Sequence, residues 1–132
     1  MTRMLVLGAL AAALLAPVAM AAHASSPVVK LQTKQLGAIV ATRGHLAVYT
    51  WNKEKDKKVH CTGACARAWP PVLVAKGVAA HLPGLMGRFG TIKRPGGKTQ
   101  LTLNGRPLYT FNEDTPTKIL CNGVDGWFVV RA

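Results

Sequence analysis

Two stretches, VYTWNKE over 48–54 and LYTFNED over 108–114, are versions of one pattern. Displacing the chain by sixty positions superimposes them, and the agreement continues as Val59 falls on Ile119, Cys61 on Cys121 and Gly63 on Gly123. Tyr49/Tyr109, Thr50/Thr110, Asn52/Asn112, Cys61/Cys121 and Gly63/Gly123 are identities, while Trp51/Phe111 and Glu54/Asp114 exchange like for like. Eleven residues separate the Tyr from the Cys in both copies. Self-similarity at a fixed period marks a duplicated structural unit that cannot bury its apolar face alone. The two halves are therefore expected to pack against each other with pseudo-twofold symmetry.

Around these stretches the text is a series of short apolar runs: HLAVYTW (45–51), VLV (72–74), RFGTI (88–92), TQLTL (99–103), RPLYTF (106–111) and GWFVV (126–130). β-branched and aromatic residues broken by Gly, Asn and Pro every eight to twelve positions predict a mainly β protein of two similar antiparallel units. Asn104-Gly105 predicts a two-residue hairpin turn, which needs residues tolerant of positive φ, and Pro95-Gly96-Gly97 predicts a second turn. One short helix is expected over 63–69, with Thr62 at its start and Pro70-Pro71 ending it. Residues 25–37 are polar and basic and are expected to be a flexible lead-in. The remaining 38–132 form a single β domain of two repeats, about 38–74 and 88–132.

The first two dozen residues have a different character. Arg3 precedes a run of 16 residues, Leu5–Met20, that carries no charge. The run is shorter than the roughly 20 residues a membrane-spanning helix needs, and it is followed by the A-x-A patterns Ala19-Met20-Ala21 and Ala22-His23-Ala24. A signal peptide over 1–24, cleaved to leave no transmembrane anchor, is expected. The chain has 132 residues with 17 Lys+Arg against 5 Asp+Glu, a formal charge of +12. Cleavage removes only Arg3 among the charges, leaving 16 − 5 = +11 on what is at most one small domain. Export would place Cys61, Cys65 and Cys121 where thiols pair.

The quoted repeats, together with CTGACARAWPPV (61–72), GRFGTIKRPGGKTQLTLNGRPLYTFNED (87–114) and GVDGWFVV (123–130), resemble the secreted-repeat family, also described as predicted lipoproteins with a Yx(FWY)xxD motif. The resemblance implies an exported bacterial envelope protein of tandem β units, periplasmic or secreted, with no settled activity. In this chain Glu54 stands where the first motif has Asp, the lipid-attachment Cys is missing, and Cys121 is additional to the family's cysteine pair. The family's pairing and the oxidising compartment favour a Cys61–Cys65 disulfide. The repeat equivalence of Cys61 and Cys121 leaves a bridge between the halves open, because connectivity does not follow from sequence. The remaining thiol is then buried, a link between two chains, or a metal ligand.

Tyr49 and Trp51, like Tyr109 and Phe111, fall on one face of a strand and are expected to pack in the core. Glu54 and Asp114 follow where each strand should end, and are expected to accept backbone N–H bonds in a turn. An acid–base pair would be the enzymatic reading, but no nucleophile or triad accompanies them, so no catalytic residue is assigned and no enzyme is expected. The basic excess gathers as Lys53, Lys55, Lys57 and Lys58 in one loop and as Arg88, Lys93, Arg94 and Lys98 around one hairpin. Such clusters attract polyanions: lipopolysaccharide, anionic headgroups, teichoic or nucleic acids. Another envelope protein is the other candidate partner. No motif for sequence-specific nucleic-acid binding is present. The alternative function is a periplasmic redox or copper-handling module built from His60, Cys61, Cys65, His81, Met86 and Cys121, since thiolate, imidazole and thioether suit copper. Their spacing matches no metal motif, C-x-x-C-H is absent, and otherwise no cofactor is expected.

Overall fold

The structure is a computed structural model that describes residues 8–17 and 25–132. Within 8–17 there is no regular structure, and Leu10, Leu14 and Leu15 are exposed. Both expected signal-cleavage patterns lie outside the described residues. Among the described residues no helix is long and apolar enough to cross a membrane.

The segment expected to be a flexible lead-in is instead a strand. β1 (Val28–Thr33) pairs antiparallel with β2 (Gly37–Thr42), from Val28 opposite Thr42 to Thr33 opposite Gly37. The alternation in VVKLQT explains the discrepancy. Val29, Leu31 and Thr33 are partly buried while Lys30 and Gln32 face water, so a half-buried strand reads as polar, basic text. A second hairpin stands sixty-one positions further on, with β4 (Phe89–Lys93) against β5 (Thr99–Leu103) and the short β6 (Arg106–Pro107) on its other edge. Its turns are those predicted: Asn104 and Gly105 have φ of 51° and 80°, and Gly96 and Gly97 have 93° and 89°. The first repeat therefore begins at β1, about ten residues before position 38.

Each hairpin is completed by a strand from the other repeat. β3 (Tyr49–Trp51) pairs with β7 (Trp127–Val129) from the far end of the chain, with Tyr49 opposite Val129 and Trp51 opposite Trp127. In the same way Pro71 and Leu73 of the first repeat bridge to Tyr109 and Gln100 of the second. The exchange is closed by matching triangles of backbone hydrogen bonds. Val40 N–H donates to Val130 O (2.9 Å), Val130 N–H to Val48 O (2.8 Å), and Val48 N–H to Val40 O (3.0 Å). The counterparts run from Leu101 to Val72 (2.8 Å), Val72 to Leu108 (2.9 Å), and Leu108 to Leu101 (3.0 Å). At the centre, Tyr49 N–H donates to Tyr109 O at 2.8 Å and Tyr109 N–H to Tyr49 O at 3.0 Å, so the pseudo-twofold axis passes between the two tyrosine backbones.

The predicted helix is α1 (Ala64–Ala68). Its N-cap is Gly63 with φ of 56°, and Thr62 contributes its carbonyl, which accepts from Cys65 N–H at 3.1 Å, rather than a capping side chain. After α1, Trp69 turns into the core and Pro70-Pro71 leave the chain extended for the exchanged strand.

Four rings fill the space between the repeats in one ladder. Trp51 stacks on Trp127 (centroids 4.9 Å, planes 4° apart) and Trp127 on Trp69 (3.8 Å, 4°), while Phe111 meets Trp69 tilted (4.6 Å, 37°). Tyr49 meets Trp69 edge-on at 5.1 Å and Tyr109 meets Trp127 edge-on at 5.2 Å. Trp51 and Phe111 are motif equivalents, and Trp69 and Trp127 each lead their repeat's exchanged strand, so the ladder obeys the same twofold relation. Offset and edge-on contacts of this kind add to simple burial. Truncating a central ring removes contacts for both halves at once: Trp127→Ala is expected to lower unfolding free energy by about 3–5 kcal/mol. A single denaturant transition should persist as it does so, and loss of one repeat's signal before the other's would contradict the shared core.

Candidate functional site

The motif carboxylates are held by the opposite repeat. Tyr49 Oη donates to Asp114 Oδ2 at 2.5 Å, and Tyr109 Oη donates to Glu54 Oε2 at 2.9 Å. Each carboxylate also receives the backbone of its own repeat just before the shared cysteine position. Glu54 Oε2 accepts from His60 N–H (2.6 Å) and Cys61 N–H (3.1 Å), while Asp114 Oδ1 accepts from Leu120 N–H (2.9 Å). The expected turn role is thus present, joined by a bond between copies that the sequence reading did not contain. The longer Glu54 places all its bonds on one oxygen and leaves Oε1 buried with no partner among the described residues. Both side chains are enclosed, with 1% of Glu54 and 7% of Asp114 exposed.

The fit has electrostatic consequences. Burial, with the charge and hydrogen bond of Glu54 beside it, pushes the Tyr109 phenol up to about 12. Tyr49 is raised further by burial and then by its hydrogen bond to Asp114. Arg94 reaches into the first of these networks. Its Nη2 donates to Cys61 O at 2.8 Å, its Nη1 to Gln100 Oε1 at 2.7 Å, and its guanidinium lies 5.9 Å from the Tyr109 ring centroid. Cys61 is thereby gripped at both its N–H and its carbonyl.

Cys61 and Cys65 form a disulfide with Cα atoms 5.2 Å apart, and Cys121 is a free, half-buried thiol. Burial, followed by the charges of Asp114, Glu113 and Asp125, raises the Cys121 pKa and disfavours the thiolate. The six residues of the copper reading are not assembled. The disulfide occupies two of them, His60 Nε2 pairs with Asp56 Oδ2 at 2.7 Å, and His81 and Met86 are exposed. Among the described residues no group of three or more His, Cys, Asp or Glu is arranged to hold a metal.

Of the eight basic residues singled out, Lys53, Lys55, Lys57, Lys58, Arg88, Lys93 and Lys98 are exposed. Arg94 is the exception and is a structural clamp, because its hairpin turn aims it inward. Lys57 of the first cluster and Arg88 of the second both reach the Asn104-Gly105 turn, whereas Lys93 and Lys98 lie at the opposite end of the β4–β5 hairpin. The Lys57 stem packs so closely on Gly105 that a Cβ there would lie 2.7 Å from it, and Arg88 N–H donates to Asn104 Oδ1 at 2.9 Å on the same turn. Arg106, which the sequence reading passed over, adds a third cation there and donates to Trp51 O at 3.0 Å. Its position directly after the turn was the available signal.

The chain matches the family of secreted repeats of unknown function twice, over residues 30–73 and 90–131, and belongs to it. The first match begins within β1, in keeping with the structural rather than the expected start of the repeat. Neither a curated protein nor a solved structure is similar enough to match the chain.

The crossed bonds should be visible on titration. A tyrosine raised in the folded state contributes stability that is complete below the unfolded phenol's pKa of about 10 and is lost as the pH climbs through the folded value. For Tyr109 that window runs up to about 12. The chain's 2 tyrosines should give no phenolate absorbance near pH 10 while folded, and stability should decline above it. Absorbance rising at about pH 10 in the folded protein would contradict the burial. Tyr109→Phe leaves a buried acceptor short of a donor and is expected to cost about 1–3 kcal/mol by denaturant unfolding.

Proposed function

We propose that this protein is a non-enzymatic binding module of the bacterial cell envelope, periplasmic or secreted, that captures polyanions through the lysine-bearing loop of its first repeat and the adjoining Arg88. The observation that carries this reading is internal. Residues 51–60 and 111–120 have the same burial at all ten positions, so the scaffold makes the same demands of both loops. The first loop fills exposed positions with Lys53, Lys55, Lys57 and Lys58, whereas the second fills their counterparts with Glu113, Thr115, Thr117 and Lys118. Folding is satisfied without the lysines, so their concentration on one side calls for another explanation. Contact of Lys57 and of the Arg88 backbone with the same turn sets Arg88 beside the lysine loop, and the resulting positive face steers anionic ligands and weakens with salt.

Grafting the second loop's residues onto the first, as Lys53→Glu, Lys55→Thr and Lys57→Thr together, tests the reading with residues the fold already accepts. Affinity for lipopolysaccharide or anionic vesicles should fall on the order of 100-fold, at about 1 kcal/mol per lysine, with thermal unfolding unchanged. The unaltered protein should lose affinity steadily as salt is raised. Binding indifferent to ionic strength would remove the electrostatic basis.

A further inference from the structure

Trp51, like Phe111 at the opposite end, is an end of the aromatic ladder that the core covers only in part. One face lies flat on Trp127 at 4.9 Å, and its Nε1–H donates to Asp125 O at 3.2 Å, so the half-buried ring is fixed in place and orientation. The ammonium of the exposed Lys53 sits 5.3 Å from its centroid. Arg106 is bound to the Trp51 carbonyl and holds a buried Nε that has no partner in the described chain, and Lys57 lies against the neighbouring Gly105. A rigid aromatic plane thus carries one cation over its ring and has a second bonded to its backbone carbonyl.

The other end of the ladder is again the control. Phe111 takes the place of Trp51, and the counterparts of Lys53, Lys57 and Arg106 are Glu113, Thr117 and Leu46. The second repeat completes the same fold with a smaller ring and none of the three cations. Indole and cations therefore vary together, which is expected if they serve one ligand.

We propose that the outer face of Trp51, with Lys53 and Arg106, is a subsite for an anionic sugar unit, a pyranose carrying a carboxylate or phosphate within an envelope glycan. The C–H face of a pyranose is apolar and polarised, and it stacks on the electron-rich face of an indole. Its charged substituent draws the Lys53 ammonium off the ring into an ion pair, and the half-buried Arg106 guanidinium, bonded to the Trp51 carbonyl, adds a second fixed positive charge at the subsite. A bare polyanion would use the lysines and leave the ring idle. This subsite rests on the polyanion reading and assigns the chemistry of its ligand.

Calorimetric titration of the whole protein with polygalacturonate, polyphosphate, dextran and a single-stranded DNA oligonucleotide at one ionic strength separates the two claims. Polygalacturonate should bind roughly tenfold or more tightly than polyphosphate, with no binding to dextran. Trp51→Phe, the residue of the other repeat, should erase that margin while leaving polyphosphate affinity unchanged. Lys53→Glu, at an exposed position, should weaken polygalacturonate more than polyphosphate. Equal affinity for the two polyanions with indifference to Trp51→Phe would overturn the subsite and leave the basic face standing. Failure of both polyanions to bind would overturn both readings, and DNA binding more tightly than polygalacturonate would reassign the ring to bases and so overturn the sugar.

Discussion

The reciprocal bond between each motif tyrosine and the other repeat's carboxylate is the constraint on which the rest of the molecule depends. A carboxylate taken out of water must be supplied with donors, and here they come from two directions: a phenol across the twofold, and the backbone amides of His60 and Cys61 or of Leu120. Satisfying Glu54 and Asp114 fixes the distance and rotation between the repeats and shapes the loops 52–60 and 112–120. The aromatic ladder then fills what lies between. Neither tyrosine has its acid partner within its own repeat, so two independently folded halves would each retain an unsatisfied buried pair.

This division of labour separates scaffold from surface. Tyr, the buried acid and the cysteine position recur because the twofold interface requires them in both copies. What differs between copies is correspondingly free of that requirement: the lysines of the first loop, Trp51 against Phe111, Arg106 against Leu46. Arg94 shows that not every asymmetry is superficial, for its counterpart Thr33 bonds only to its own turn, through Leu36 N–H and Gly37 O. The first copy has the longer Glu54 and recruits a guanidinium to its tyrosine network; the second has the shorter Asp114 and does without one.

The duplication was legible because Tyr49 to Gly63 keeps one spacing in both copies, and the Asn-Gly turn because positive φ leaves few residue choices. The β1–β2 hairpin was not, since VVKLQT shares no evident pattern with FGTIK and its offset is sixty-one rather than sixty. Trp69 and Trp127 went unmatched for a similar reason: α1 occupies the first copy where the second has a tight turn at Asp125-Gly126, which changes the spacing to fifty-eight. The crossed bonds were hidden by the comparison itself. Alignment sets like beside like, Tyr49 on Tyr109 and Glu54 on Asp114, whereas the structure joins unlike residues of opposite copies. The basic residues were legible as two clusters, and only the contacts of Lys57 and of the Arg88 backbone with the Asn104-Gly105 turn show that these two residues are neighbours.

The exchanged strands also bear on the order in which the chain can mature. The strand that seals the first sheet, β7, lies after every element of the second repeat. Tethered synthesis or passage through a narrow pore therefore delivers a first half whose sheet lacks its closing edge until residues 127–131 emerge, although the second hairpin and its partner strand at 71–73 are already through. The topology makes sealing of the first sheet the last step of the chain's emergence.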